Sequence, residues 1–248
     1  MSTAAGDGGR LQGRRALITG GGSGIGAETA VRFGQVGAAV LTGDLAGGDV
    51  AMDVRSRASV EAATSEAVDR LGGLDTVVCN AGISLRGEAH EISDDEWAEV
   101  LATNLTGVFL TAKAAWPHLE RAGGGTILAT ASAAGLWPEA DAAAYSVTKS
   151  GVITLIRCLA FSGARIGIRA NCVCPGGIWS PMTERFLASR SDPEATRARI
   201  ISLHPLGLGQ QADVASAFVY LASPDARWIT GTALTVDGGR TSAYSLLG

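Results

Sequence analysis

The stretch that decides the fold is ALITGGGSGIGAETAVRF, residues 16–33. It begins with an apolar run, passes through a glycine-rich turn and continues with apolar residues at the 3.6-residue spacing of a helix. Gly20, Gly24 and Gly26 follow the order G-x-x-x-G-x-G. Without side chains in the turn, a pyrophosphate can approach the backbone amides at the start of the helix. The stretch therefore predicts a strand, a phosphate-binding turn and a helix, with a tight turn that binds nothing as the alternative.

The rest of the chain repeats this alternation of apolar runs and amphipathic segments. Strands are predicted at residues 15–19, 39–42, 74–79, 126–129, 168–173 and 233–236, and helices at residues 25–36, 60–71, 94–119, 144–163 and 212–221. Apolar runs without polar alternation, separated by helices, are typical of a parallel sheet covered on both faces. We predict a single doubly wound α/β domain of about seven strands over residues 13–248, after a flexible lead-in over residues 1–12.

Two segments depart from the regular pattern. Residues 179–211 follow the sixth strand, contain three prolines and are the least regular interior part of the chain, which is typical of a substrate lid. Only residues 45–49 separate the second strand from the next short apolar run, whereas a parallel crossover usually takes a dozen residues or more. We therefore expect the helix between the second and third strands to be missing.

The composition excludes several classes of protein. Of the 248 residues, 46% are hydrophobic, which is enough for one large core and excludes disorder over most of the chain. The formal net charge of −4 argues against nucleic acid or an anionic membrane as the main partner. No uninterrupted apolar run approaches the ~18–20 residues of a membrane-spanning helix, and residues 1–15 lack the apolar middle of a signal peptide. We expect a cytoplasmic protein.

The cysteines and histidines argue against a metal centre. The cysteines form no C-x-x-C pair and are expected to be ordinary buried thiols: Cys79, Cys158, Cys172 and Cys174. The histidines are scattered, at no ligand spacing from a carboxylate or cysteine: His90, His118 and His204. A zinc enzyme and a histidine-based hydrolase are therefore not expected, and no metal is predicted.

Asp44 indicates which dinucleotide the turn would hold. It ends the second predicted strand, 18 residues after Gly26, where a carboxylate would accept hydrogen bonds from the adenosine ribose hydroxyls. A carboxylate there repels a 2′-phosphate. Leu45 adds no positive charge, and Ser23 occupies a turn position where a basic residue could have served NADP. The sequence therefore favours NAD over NADP.

Tyr145 and Lys149 are the strongest chemical signal. They form Y-x-x-x-K within a predicted helix, so the amine and the phenol share one face. A nearby cation would stabilise the phenolate and lower the pKa of the tyrosine from its usual value near ~10. Because the chain has only three tyrosines and two lysines, a chance pair at this spacing is uncommon. The alternative is two solvated helix residues.

Taken together, the motifs resemble the short-chain dehydrogenase/reductase family over nearly the whole chain, from Arg14 to Gly239. The matching segments are TGGGSGIG (residues 19–26), NAG (residues 80–82), Asn104, Ser132, YSVTK (residues 145–149), RANCVCPGGI (residues 169–178) and TGTALTVDGG (residues 230–239). Each is modest evidence alone, but their order and spacing together are highly specific. The resemblance implies a Rossmann-type fold and an NAD(H)-dependent oxidoreductase that interconverts a secondary alcohol and a ketone.

The resemblance also implies residue roles. Tyr145 would be the general acid/base and Ser132 would hydrogen-bond the substrate oxygen. Lys149 would bind the nicotinamide ribose and lower the pKa of Tyr145, and Asn104 would hold a water as a proton relay. The residues implied to contact the cofactor are Gly20, Ser23, Gly24, Ile25, Gly26, Asp44, Asp53, Val54, Asn80, Ala81, Gly82, Tyr145, Lys149, Pro175, Gly176, Ile178 and Ser180.

The substrate is expected to be a medium-sized alcohol or ketone with an apolar or cyclic face. The residues expected to line its pocket follow the strand ends: Ser84, Leu85, Ala134, Leu136, Trp137, Gly177, Trp179, Met182 and Phe186. The alternative is that the tryptophans pack the lid against the core. A homotetramer or homodimer is expected, paired through the long helices.

Two other functions stay open, an NADPH-dependent 3-oxoacyl reductase and a non-catalytic dinucleotide-binding regulator.

Overall fold

A computed structural model describes residues 9–242. Its main element is a seven-stranded parallel sheet in the order β3-β2-β1-β4-β5-β6-β9. Within this range the nine strands are β1 (Arg15–Thr19), β2 (Ala39–Asp44), β3 (Val50–Ala51), β4 (Thr76–Cys79), β5 (Gly125–Thr130), β6 (Ile168–Pro175), β7 (Ile178–Trp179), β8 (Gly209–Gln210) and β9 (Ala233–Val236). β7 and β8 form a separate parallel pair. The predicted α/β fold with a doubly wound parallel sheet is confirmed.

Helices cover both faces of the sheet. They are α1 (Gly24–Gln35), α2 (Arg57–Leu71), α3 (Asp94–Leu101), α4 (Gly107–Arg121), α5 (Ala143–Gly163), α6 (Pro181–Ala188), α7 (Pro193–Ser202) and α8 (Gln211–Ala222). α1 and α8 pack on one face, and α2, α4 and α5 pack on the other. Adjacent side chains of a strand point to opposite faces, so Leu17 of β1 joins one core while its neighbours Ala16 and Ile18 join the other.

The cysteines follow the same alternation. Cys172 and Cys174 of β6 point to one face and are buried, and Cys79 of β4 is buried on that face too. Burial raises the pKa of Cys79 to about 12, so its thiol is inert at neutral pH. Cys158 on α5 is exposed, which corrects the expectation that all four thiols are buried.

The predicted helix over residues 94–119 is in fact two helices. α3 begins at a capping box, in which the side chains and backbones of Ser93 and Glu96 bond reciprocally. A π-helical turn over Ala102–Thr106 separates α3 from α4, and the Gly107 amide donates to the Ala102 carbonyl five residues back. Such π turns are common at functional sites, and this one contains Asn104.

The structure confirms that no helix connects β2 and β3, as the sequence predicts. A tight loop replaces it, and the Asp49 carboxylate accepts hydrogen bonds from the Thr42 amide at 2.8 Å and the Thr42 hydroxyl at 2.7 Å. These bonds hold the pKa of Asp49 below its usual value. The loop brings the chain straight into the two-residue strand β3, which still pairs parallel with β2.

The segment expected to be an irregular lid is more ordered than its sequence suggests. It holds β7, α6, α7 and β8. α6 and α7 each begin with a proline, Pro181 and Pro193, after the side-chain caps Ser180 and Asp192. Proline suits the first position of a helix, where its missing N–H has no intrahelical partner.

The start of the domain also needs correction. Leu11 is fully buried and its amide donates to the Val36 carbonyl at 2.9 Å, so the folded part begins before residue 13. Residues 1–8 of the expected lead-in lie outside the described residues.

Within residues 9–242, one helical segment, Ala143–Ile166, is long and apolar enough to cross a membrane by length and composition alone. Here it packs Val152 and Ile156 against the sheet, as a core helix does.

Candidate active site

A cavity of about 390 Å³ opens at the carboxyl ends of the parallel strands, where ligands of open α/β sheets usually bind. The predicted cofactor and catalytic residues that line it are Gly20, Ser23, Gly24, Ile25, Asp44, Asp53, Val54, Asn80, Ala81, Gly82, Ser132, Tyr145, Lys149, Pro175, Gly176, Ile178 and Ser180. Gly26 and Asn104 are not part of this lining. Within residues 9–242, no cluster of three or more metal-ligating side chains is present.

The glycines of the turn lack side chains for two reasons, close packing at Gly26 and Gly20 and backbone conformation at Gly24. A Cβ on Gly26 would lie 2.0 Å from the Gly20 carbonyl oxygen, and a Cβ on Gly20 would lie 2.7 Å from the Cα of Ala81. Gly24 has φ +59°, and a Cβ there would meet only Pro181, at 3.9 Å, across the cavity. This open cradle at the start of α1 fits a pyrophosphate group.

The end of the cavity beside β2 is acidic. Asp44 accepts a hydrogen bond from the Gly22 amide at 2.9 Å and faces the cavity. Arg55 also lines the cavity but is paired with Asp53 at 2.9 Å and lies 3.8 Å from Glu99. The side-chain hydrogen bond from Arg55 holds the pKa of Asp53 below its usual value. Sequence reasoning missed Arg55, whose charge these carboxylates neutralise.

Tyr145 and Lys149 face the same cavity from one side of α5, as their spacing predicts. The Lys149 amine lies 5.5 Å from the centre of the Tyr145 ring and donates a hydrogen bond to the Thr130 carbonyl at 2.7 Å. Burial lowers the pKa of Lys149 to about 8. Burial also raises the pKa of Tyr145, and a hydrogen bond with Ser132 opposes that rise. The lowered tyrosine pKa expected from the sequence is therefore corrected.

Ser132 lies just after β5 with its hydroxyl beside the phenol. Its Oγ accepts a hydrogen bond from the Ala134 amide at 3.1 Å. The hydroxyl proton is therefore available to a second oxygen, either that of Tyr145 or that of a substrate. The arrangement allows Ser132 and Tyr145 to hold one carbonyl oxygen between them.

Asn104 is fully buried, and its side chain is occupied by backbone groups. Its Oδ1 accepts from the Ile83 amide at 2.8 Å, and its Nδ2 donates to the Ile83 carbonyl at 2.9 Å. A Cβ on Gly82 would lie 3.2 Å from Asn104 Oδ1 and 3.6 Å from Lys149 Nζ. The missing Cβ of Gly82 thus leaves the Asn104 amide oxygen and the Lys149 amine beside the same space, and Asn104 holds the adjoining Ile83 backbone.

Asn80 links the two ends of the site. Its Nδ2 donates to the Gly20 carbonyl at 3.1 Å, and its Oδ1 accepts from the Thr130 hydroxyl at 2.9 Å. Because the Thr130 carbonyl holds Lys149, a continuous set of contacts joins the glycine turn to Lys149.

Most of the residues expected to contact the substrate lie outside the lining of this cavity. Of the nine residues, only Met182 lines the cavity. Leu136 and Trp137 are 39% and 55% exposed, Ser84 is also exposed, and Leu85 and Ala134 are not in the lining. Trp179 packs against Arg197, Gly177 faces His204, and Phe186 lies between Arg86 and Arg190.

Other side chains take the place of those residues. Ile83, Thr183 and Arg185 line the cavity and were missed. Arg185 follows Met182 by three positions on α6, so it lies on the same helix face. Recognising α6 from its Ser180 cap and Pro181 start would have indicated Arg185.

Sequence comparisons agree with this geometry. A family sequence model described as Enoyl-(Acyl carrier protein) reductase matches residues 20–241. The chain is 38% identical over 248 residues to 2,5-dichloro-2,5-cyclohexadiene-1,4-diol dehydrogenase LinX of Sphingobium indicum, covering 93% of this chain and 97% of the relative. It is 37% identical to cis-4-hydroxycyclohexanecarboxylate dehydrogenase of Sinomonas cyclohexanicum, with 92% and 97% covered.

Solved structures agree as well. A putative short-chain dehydrogenase/reductase from Burkholderia xenovorans superimposes with a TM-score of 0.90 at 36% identity, covering 94% of this chain and 98% of that one. Levodione reductase superimposes with a TM-score of 0.90 at 31% identity, covering 94% and 99%. With its seven-stranded sheet, its glycine turn and its Ser132, Tyr145 and Lys149 in one cavity, the chain belongs to the short-chain dehydrogenase/reductase family of oxidoreductases, whose dehydrogenases use nicotinamide cofactors.

Proposed function

We propose that this enzyme interconverts a secondary alcohol and a ketone by hydride transfer with NAD(H), using Tyr145 as general acid/base. One observation carries the proposal: Ser132, Tyr145 and Lys149 line the same cavity whose opposite end is formed by Gly24 and Asp44. A dinucleotide lying along this cavity reaches from the acidic end to the phenol. The nicotinamide supplies the hydride, and the protein supplies position, electrostatics and a proton.

The proton chemistry follows from the environment of Tyr145. In ketone reduction the phenol donates its proton to the carbonyl oxygen, and in alcohol oxidation the phenolate takes it back. The raised pKa keeps the phenol protonated at neutral pH, ready to donate. The Ser132 hydroxyl and the Lys149 ammonium stabilise the negative charge that develops on oxygen as the proton leaves. The relay role of Asn104 stays a prediction.

The preference for NAD over NADP rests on charge. The Asp44 carboxylate would accept from ribose hydroxyls and repel a 2′-phosphate. Arg55 also lines the cavity, and Asp53 and Glu99 already engage it. A 2′-phosphate would have to displace these carboxylates to gain an arginine contact.

The proposed substrate is a ring-bearing secondary alcohol of medium size. Met182 and Ile83 give the substrate end of the cavity apolar surface. Two of the relatives are named for the oxidation of cyclic alcohols, a cyclohexadiene diol and a hydroxycyclohexanecarboxylate. The description of the matching family points instead to acyl groups. An NADPH-dependent 3-oxoacyl reductase is therefore the second candidate.

Two sets of kcat/KM values separate the candidates. Oxidation of cyclic secondary alcohols is measured with NAD⁺ and with NADP⁺, and reduction of 3-oxoacyl thioesters is measured with NADH and with NADPH. We expect kcat/KM for the cyclic alcohols with NAD⁺ to exceed the other values by at least about tenfold. A lead for NADPH with 3-oxoacyl thioesters would establish the second candidate. Dinucleotide binding with no turnover on either panel would favour the non-catalytic regulator.

We further propose that the chain assembles as a homotetramer or homodimer and works in the cytoplasm, where NAD(H) is available. Phe109 on α4 and Val147 and Phe161 on α5 are exposed apolar side chains, which suits pairing of these helices between copies. Sedimentation at micromolar concentration tests the assembly, and a monomer alone would contradict it.

A further inference from the structure

His204 is a buried imidazole that the proposed chemistry does not use. It follows α7, is 3% exposed, and makes two short hydrogen bonds to backbone groups. Its Nδ1 lies 2.7 Å from the Ile200 carbonyl oxygen of α7, and its Nε2 lies 2.7 Å from the Gly177 amide nitrogen. An amide N–H only donates, so Nε2 accepts. A carbonyl only accepts, so Nδ1 carries the proton. The contacts define one neutral tautomer.

The backbone beside the imidazole leaves no room for side chains. A Cβ on Gly176 would lie 2.8 Å from His204 Nε2, and a Cβ on Gly177 would lie 3.0 Å from His204 Cε1. The paired glycines after Pro175 therefore let the ring pack directly on the peptide. Gly176 lines the cavity on the opposite side.

Both polar groups of Gly177 are held by the same short segment. His204 accepts from its amide, and the Gly209 amide donates to its carbonyl at 3.0 Å. The next residue, Ile178, lines the cavity. The orientation of the peptide between the cavity wall and the lid is thus set by residues 204–209.

We propose that His204 is a positioning residue, which fixes the Gly176–Gly177 peptide against helix α7 and thereby orients the nicotinamide end of the bound dinucleotide toward Tyr145. The inference rests on the proposed function. Small displacements of reacting groups lower rates steeply, by up to about 10²-fold for a shift near 1 Å. The adenosine end, which Asp44 and the glycine turn form, has no contact with His204.

The test compares His204→Leu, His204→Gln and the exposed control His90→Leu. The glutamine amide oxygen can accept from Gly177, and its nitrogen can donate to Ile200. For His204→Leu we expect hydride transfer to slow by about 10–100-fold while the Kd for NADH changes less than about threefold. His204→Gln should recover most of the rate, and His90→Leu should match wild type.

Two outcomes would overturn the proposal. One is a hydride-transfer rate of His204→Leu within about threefold of wild type. The other is a folded His204→Gln that stays as slow as His204→Leu.

A readout without turnover separates this inference from the proposed function. In the wild-type protein, ¹⁵N NMR should find His204 protonated at Nδ1, and the Gly177 amide should exchange more slowly than in His204→Leu. Protonation at Nε2 would overturn the proposal even if neither leucine nor glutamine variant folded. If NMR finds the predicted tautomer but the enzyme does not turn over alcohols, the result counts against the proposed function alone.

Discussion

The Lys149 amine lies 5.5 Å from the centre of the Tyr145 ring and 2.7 Å from the Thr130 carbonyl oxygen. The amine therefore sits on the buried side of the phenol with its direction set by strand β5. Through Thr130 and Asn80 the same contacts reach Gly20 in the glycine turn. The two ends of the proposed dinucleotide site are held at a fixed separation by the fold itself.

Lys149→Met should change how stability depends on pH. Burial lowers the pKa of Lys149 to about 8, against 10.5 for the free side chain. Between these values the unfolded chain binds more protons, so this residue makes folding more favourable as pH rises. The free energy of unfolding of wild type minus that of the variant should rise by at most about 1.4 kcal/mol per pH unit between pH 8 and 10.

Urea unfolding of both proteins across that range measures the difference. Cys79 and Tyr145 have raised pKa values and act in the opposite direction at alkaline pH, but they are present in both proteins. A flat or falling difference would show that the amine is not desolvated.

Asp44→Asn should relax the choice of dinucleotide. The amide oxygen can keep the bond to the Gly22 amide, but the negative charge is gone. Without repulsion of a 2′-phosphate, the ratio of kcat/KM for NADP⁺ to that for NAD⁺ should rise about tenfold or more. Asp69→Asn, which removes an exposed carboxylate from α2, is the matched control and should leave the ratio unchanged. An unaltered ratio in Asp44→Asn would remove the basis for the NAD preference.

Substitution by alanine should change the free energy of unfolding in opposite directions at two glycines of α1. A Cβ on Gly26 would lie 2.0 Å from the Gly20 carbonyl oxygen, whereas a Cβ on Gly34 would meet nothing within 4 Å. Gly26→Ala should lower the free energy of unfolding by about 2–3 kcal/mol and weaken NADH binding, because the turn must move. Gly34→Ala should raise the free energy of unfolding by about 0.5 kcal/mol. Equal effects in thermal unfolding would contradict the close packing of the turn.

Local sequence was enough to predict most of the fold and to bring Ser132, Tyr145 and Lys149 to one cavity. Strand residues, the glycine turn and the Tyr145–Lys149 spacing each depend on neighbours in the chain. The absent helix between β2 and β3 followed from loop length alone. The break between α3 and α4 did not, because the π turn over residues 102–106 continues the helical path and no proline marks it.

The substrate side could not be predicted in the same way. Which side chains of the lid face the cavity depends on how α6 and α7 pack, and Trp179 and Phe186 turn away to stack with arginines. His204 was passed over because its partners, Gly177 and Ile200, are backbone groups that no side-chain motif records. The raised pKa of Tyr145 likewise comes from burial, which residue spacing does not reveal.

Tyr145→Phe tests the central claim most directly, since it removes one oxygen from the cavity wall. NADH titration followed by stopped-flow measurement of hydride transfer should give a Kd within about threefold of wild type and a transfer rate lower by about 10²–10⁴-fold. Tyr220→Phe on α8, outside the cavity lining, is the control and should behave as wild type. A Tyr145→Phe enzyme that transfers hydride at nearly the wild-type rate would contradict the account.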